Sequence, residues 1–520
     1  MVYVKKVWML PAILLLLSTA VAGCGSNSGG GTASAAGSSQ ELKVAMFGEP
    51  TNLNYMYEHD MMSTTVDWNL YDQLARWNYQ TGKLDPELAT SWKQTSPTTW
   101  IVNLRKGVQF PDGYGEMTAS DVANTVNYII QNNLPIAFLY AGIKKVDVVN
   151  KFTLKYELQY PDTAFVESAL QGFGGMVMSW KAFQKMGAEK FSRDPIATGP
   201  FMVKTWVAGD HITLVKNPAY WDKSAVKLSN INIRFVPDPS VKENLLTTGS
   251  VNFIDSVAYQ DITSLKSQPG IKVLSTPGWN WNYISFGTVN GPFGNKAVRQ
   301  AISYAIDRSA IAKQVYYGYA VPAYSPLPKG FLYSDPSTNT LYGPNANVAK
   351  AKQLLAAAGY PKGFSTSIIV PDKADIRREA TIIQQELQAV GINAKLDFLD
   401  NATYAERQRS IGNFIDLNQI TIMSPDPDSA IYWFWYTGGS LAHNYSNQQI
   451  DHLIAQGRML PDGPQRAAVY QQLQKAMIDQ SWYIYIVNRD LVRAMSTSVH
   501  GYQDTPQDMA ALWFKYTSVH

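Results

Sequence analysis

Apolar residues recur with short, changing periods along this chain. Leu42-Lys43-Val44-Ala45-Met46-Phe47 partly alternates and predicts a strand, as does Ile101-Val102-Asn103-Leu104. Val122, Val126, Ile129 and Ile130 return at helical spacing. They follow Thr118, a good helix N-cap, and Asp121, whose carboxylate suits a helix N-terminus. Val298, Ala301, Ile302, Ala305 and Ile306 form one apolar helix face, with Arg299 and Gln300 off it. Residues 350–358 predict a helix that ends at Gly359, with Pro361 just beyond. Residues 377–390 predict another, stopped by Gly391, and residues 392–398 alternate like a strand. Phe110-Pro111-Asp112-Gly113 is a turn, and Ala197-Thr198-Gly199-Pro200-Phe201 is a second one without the lysine of a phosphate loop. Helices and strands interleave throughout, which makes the class mixed α/β.

The first forty residues follow other rules. Lys5-Lys6 precede an apolar run over residues 7–17, too short for an ordinary membrane span. Val21-Ala22-Gly23-Cys24 comes next, with small residues before a cleavage point as in an export signal. Cys24 is the only cysteine, and its setting resembles the lipobox of bacterial lipoproteins. That resemblance implies a signal peptide over 1–23 and a lipid on Cys24. Residues 25–40 carry no charge and no large apolar side chain, so 24–40 is expected to be a flexible tether. Its sixteen residues after the cysteine would reach about 20–24 Å.

Composition narrows the function. A chain of 520 residues is too long for one core. Without Lys5 and Lys6, 42 basic side chains face 41 acidic ones, so there is no basic footprint for nucleic acid. One cysteine allows no internal disulfide and no cysteine-based metal site. The six histidines lack ligand spacing and there is no G-x-S-x-G elbow, so no catalytic residue, metal or cofactor is assigned. A carboxylate pair of the glycosidase kind leaves a secreted hydrolase as the alternative of a different class.

A set of motifs runs through the chain in order. It includes Tyr71-Asp72, Pro86-Glu87-Leu88-Ala89, Leu104-Arg105-Lys106-Gly107-Val108 and Thr118-Ala119-Ser120-Asp121-Val122. Thr198-Gly199-Pro200-Phe201, Asn217-Pro218-Ala219-Tyr220-Trp221, Val298-Arg299-Gln300-Ala301-Ile302 and Ala305-Ile306-Asp307-Arg308 follow. Together they closely resemble the extracytoplasmic solute-binding proteins of the oligopeptide, dipeptide and nickel type, solute-binding family 5, which serve ABC importers. The resemblance implies a periplasmic-binding-protein-like fold (type II, cluster C) of two α/β lobes with an inserted domain. Lobe I would comprise 41–62, 190–277 and 497–520, the insert 63–189, and the other lobe 278–496. It also implies a monomer outside the cytoplasmic membrane, held by lipid on Cys24, that closes by a hinge on a small solute. ABC permease and ATPase subunits would be its partners.

Candidate solute contacts come from two aromatic concentrations and their surroundings. Trp279, Trp281 and Tyr283 would share one face of a strand. The run 432–436 contributes Trp433, Trp435 and Tyr436, with His443 nearby. Tyr57 and Glu58 lie where the family's first strand-loop meets ligand. Peptide binders of the family carry an Asp four residues before the position of Pro427, pairing with the free α-amino group; here Met423 stands there. Asp426 or Asp428 is a candidate substitute, with capping of the next helix the favoured reading of either. Two solutes stay open: a peptide held through its backbone, or an oligosaccharide.

Overall fold

A computed structural model describes residues 40–57, 60–288, 290–422, 424–439, 442, 445–510 and 512–520. The leader, Cys24, the tether up to residue 39, Glu58, Met423 and His443 lie outside them.

Twelve strands form the main sheet. In chain order they are β1 (Glu41–Met46), β2 (Phe201–Val207), β3 (His211–Lys216), β4 (Asn230–Phe235), β5 (Phe253–Ile254) and β6 (Ile271–Pro277). Then come β7 (Asn280–Phe286), β8 (Ala320–Pro322), β9 (Phe364–Pro371), β10 (Ile392–Leu399), β11 (Phe414–Thr421) and β12 (Ile484–Ser496). The order across the sheet is β2-β3-β4-β1-β5-β12-β7-β11-β9-β10, with β6 and β8 also paired to β12. Strand β1 is parallel to β4 and β5, and β9 is parallel to β10 and β11. Each parallel group has its own apolar core, one containing Val44 and Ile233 and the other Ile368 and Ile415.

Among the described residues, the main sheet passes between its two halves at β12 and at the β6–β7 passage. The C-terminal part of β12 pairs with β6, from Asp490 opposite Pro277 to Ser496 opposite Ile271. Its N-terminal part pairs with β7, Ile484 opposite Ile284. Between these ladders side chains take over. Asn280 accepts from Arg489 N at 2.8 Å and donates to Arg489 O at 3.0 Å, and Arg489 Nε donates to Asn282 at 3.0 Å. Gly278 N donates to Arg489 O at 3.0 Å. A β-carbon at Gly278 would meet Asn280 Nδ2 at 2.0 Å and Arg489 O at 2.7 Å, so the crossing has no room for a side chain there.

A second, antiparallel sheet lies in the stretch between β1 and β2. It orders Ala89–Ser96, Thr99–Leu104, Thr153–Leu158 and Ile143–Asn150. The helix Ala119–Gln131 lies against it with Val122, Val126 and Ile129 buried, as the periodicity predicts. Asp121 accepts from Thr118 N at 2.9 Å, which satisfies an otherwise orphaned donor at the helix start. This sheet shares one core with β1–β4.

One helix face differs from its expectation. In Lys296–Ala305, Val298, Ala301, Ile302 and Ala305 are buried, but so is Arg299. Its guanidinium lies 3.4 Å from the Trp482 ring centre and donates to the carbonyls of Phe293 at 2.8 Å and Gln480 at 3.0 Å. Backbone oxygens and an aromatic face replace the water the charge gives up.

Candidate functional site

A pocket opens where the inserted stretch faces the second half of the molecule. One wall is built from Phe138 to Gly142 and from Asp162 to Gly174. The other comes from the loop at Ser424, the helix Asp428–Trp435, and Arg458 near the end of the helix Gln448–Met459. Its first wall is shaped by two short helices, Phe165–Ala169 and Gly172–Gly175. They pack so closely that a β-carbon on Gly174 would sit 1.9 Å from Ser168 O, which leaves bare backbone at the pocket.

The two walls already touch around this space. Phe138 meets Trp433 edge-on, with ring centres 4.9 Å apart. Thr163 N donates to Arg458 O at 2.8 Å, and Thr163 Oγ1 lies 2.7 Å from Leu460 O. Ser424 Oγ donates to Glu167 O at 3.3 Å. The free space between these contacts is about 50 Å³, below the ~300–1,000 Å³ usual for a solute site, and Glu167 and Asp426 also border a more open cavity of about 400 Å³ with Trp77, Trp92 and Tyr333.

Carboxylates dominate the lining. Arg458 Nη2 lies 3.1 Å from Asp162 and its Nε 3.4 Å from Asp428, and this ion triad spans the two walls. Arg466, buried behind the loop, lies 2.7 Å from Asp426. Glu167 is different: among the described residues no lysine or arginine lies within ion-pair distance of it. Burial pushes its carboxyl up to about 8, and the charges of Asp426 and Asp462 push the same way. Burial likewise raises Asp428 to about 7, against the pull of Arg458. Four carboxyl groups thus face one lining arginine and one behind it, and the local field favours a positive group.

The structure distributes the sequence-predicted residues unevenly. Trp433 and Asp426 line this pocket. Asp426 also accepts from Asp428 N at 2.8 Å, the capping arrangement, while Arg466 holds its charge. Trp281 and Tyr283, expected on a cleft face, instead pack with Phe434 in the core of the second half, at ring distances of 5.6 and 6.2 Å. Trp435 joins the same core and donates from Nε1 to Tyr485 at 3.1 Å. Tyr436 stacks on Tyr432 at 4.9 Å, half-buried. Tyr57 shares a 3.1 Å hydrogen bond with Tyr128, away from the pocket. Trp279 sits at the strand crossing, between Tyr79 at 5.5 Å and Phe331 at 5.0 Å. Phe138, Asp162, Glu167 and Arg458 were not singled out from sequence. Each lies in an ordinary-looking stretch, and only the meeting of segments some 290 positions apart, as in Asp162 and Arg458, reveals them.

Known proteins share this architecture. The model of bacterial extracellular solute-binding proteins, family 5, matches residues 83–442. The glutathione-binding protein GsiB of Escherichia coli is 28% identical over 506 residues, covering 91% of this chain and 94% of its own. The protein AgaA of A. tumefaciens, solved in complex with agropinic acid, is 26% identical with a TM-score of 0.82, covering 92% of this chain and 99% of its own. The ABC transporter-associated periplasmic binding protein DppA of Helicobacter pylori, solved with the peptide STSA, has a TM-score of 0.82 at 23% identity, covering 92% and 98%. With a two-lobed α/β architecture, two crossing strands and a family match over most of its length, the chain belongs to family 5 of the bacterial extracellular solute-binding proteins, the solute-capturing components of ABC importers.

Proposed function

We propose that this protein captures a peptide-like solute bearing a positive group, and that the ammonium or guanidinium of the solute faces Glu167. The observation that carries the reading is the half-buried Glu167 carboxyl beside Asp426 and Asp428, with no lysine or arginine within ion-pair distance of it among the described residues. It supplies the carboxylate that Met423 does not. GsiB is named for glutathione, DppA is solved with a peptide and AgaA with agropinic acid. An acid-rich pocket disfavours solutes of net negative charge, glutathione among them, and favours neutral or basic peptides.

The contacts of Phe138 with Trp433 and of Thr163 with Arg458 close the space of about 50 Å³ between the walls, and the walls part there to admit a solute. We assign that motion to the crossing at Gly278-Trp279 and Asn488-Arg489, with lobes over 41–62, 190–277 and 497–520 and over 278–496, and an insert over 63–189. A solute touching both walls then stabilises the closed form. The remaining assignments are a monomer without enzymatic activity and a lipid on Cys24 that holds it outside the cytoplasmic membrane.

Calorimetry of the protein against a peptide library, with glutathione and an N-acetylated peptide series included, tests the reading. Free-amino or basic peptides are expected to bind and to be recovered intact. Preference for acidic or N-acetylated solutes, or turnover of a bound peptide, refutes it.

A further inference from the structure

A second cavity, of about 530 Å³, shares no lining residue with the solute pocket. It is formed by the hairpin of Ala75–Asn78 and Lys83–Pro86, the loop at Trp221 and the C-terminal segment around Trp513. Its size falls within the ~300–1,000 Å³ range of small-molecule sites. Trp77, Trp221, Trp513 and Tyr516 supply aromatic surface to it.

Its polar groups are of both kinds. Arg76 lies with its guanidinium 4.2 Å from the Trp513 ring centre and 5.4 Å from that of Trp68. Its Nε donates to Glu87 at 2.8 Å, and its Nη2 is 3.9 Å from Asp72. Arg76 Nη1 and Nη2, Trp68 Nε1 and Trp513 Nε1 are buried donors with no hydrogen-bond acceptor among the described residues. Acceptors line the same space: Asp85, Glu87, Asp222 and Asp504.

Charge decides what fits. These charges are matched within the wall: Arg76 pairs with Glu87, Lys515 with Asp222 at 3.2 Å and Asp504 with Arg493, so neither an anion nor a cation finds a free counter-charge among them. Polar side chains set among the rings argue against a purely apolar molecule. A neutral ring with hydroxyls both donates and accepts, and its apolar face lies flat on indole or phenol. We propose that this cavity is a second binding site, for a neutral saccharide, separate from the solute pocket. Free oligosaccharides and the glycan strands of the cell wall present the same chemistry, and both are within reach of an extracytoplasmic protein.

The test is titration of the whole protein with maltotriose, cellotriose and the N-acetylglucosamine trimer, followed by tryptophan fluorescence and calorimetry. Sedimentation with isolated peptidoglycan forms a second arm. At least one trimer is expected to bind saturably. Tyr516→Ala, at an exposed position and checked for an intact fold by circular dichroism, should weaken it about tenfold, and Arg76→Gln should do so at least as strongly. Glu167→Gln should leave it unchanged. Binding of the trimers without peptidoglycan identifies a free sugar as the source, and binding of both identifies a wall glycan. Failure of all three trimers and of peptidoglycan overturns the proposal. Sensitivity to Glu167→Gln, or indifference to both cavity variants, overturns it as well.

Discussion

Solute affinity should rise with pH, and Glu167 sets the size of the effect. In the unliganded protein, burial holds its carboxyl at about 8, against 4.5 for an ordinary glutamate. A solute cation prefers the ionised form, so binding below that value must expel a proton. The ionised fraction is about one part in a hundred at pH 6 and about a tenth at pH 7. Observed affinity should therefore grow roughly tenfold per unit from pH 6 to pH 8 and then level off. A solute whose charge is a guanidinium stays positive across this range, so the slope reports the protein alone. Calorimetry in buffers of different ionisation heat counts the proton directly, with release of nearly one expected at pH 7. Glu167→Gln should flatten the profile. A flat profile in the unmodified protein, or proton uptake on binding, refutes the assignment of Glu167 to the solute cation.

Three further outcomes are expected. Burial also raises Asp72, Asp428 and Glu379 to about 7, so the folded protein holds protons more tightly than the unfolded chain between about pH 4 and pH 8; stability is lost as pH rises, and the unliganded protein should melt higher at pH 5 than at pH 8 by calorimetry. Gly278→Ala places a methyl against Asn280 and Arg489 and should cost about 1–3 kcal/mol, seen in urea denaturation; unchanged stability would mean the crossing gives way more easily than its hydrogen bonds suggest. Arg458→Met leaves Asp162 and Asp428 without their shared cation and should destabilise the contact between the walls by about 3 kcal/mol, with partial recovery in Asp162→Asn, read by hydrogen exchange at Thr163 and Leu460.

Local signals survived into the fold; encounters between distant segments did not announce themselves. The helix Ala119–Gln131 was legible because its start, its apolar spacing and its capping carboxylate lie within a dozen positions. Strands β1 and β10 were legible for the same reason. Arg299 was misplaced because a charged residue in a helix looks solvent-facing until Trp482 arrives from 183 positions away. The aromatic runs were conspicuous, yet Trp281 and Tyr283 fill the core with Phe434, since large rings satisfy packing and recognition equally well. Glu167 gave no warning at all: its environment comes from Asp426 and Asp462, far along the chain.

Strand β12 has a consequence for how the chain can fold. It lies at residues Ile484–Ser496 and is bonded to strands from both halves, β5 and β6 of the first and β7 and β8 of the second. Neither half can complete its sheet until that late segment is present, although β1 is made more than four hundred residues earlier. During synthesis or export the early strands must wait with their β12 edge unpaired, and contacts this far apart in sequence form slowly. A chain that loses its last forty residues would lose the seam of both lobes at once, and with it the cooperative unit, rather than a single peripheral strand.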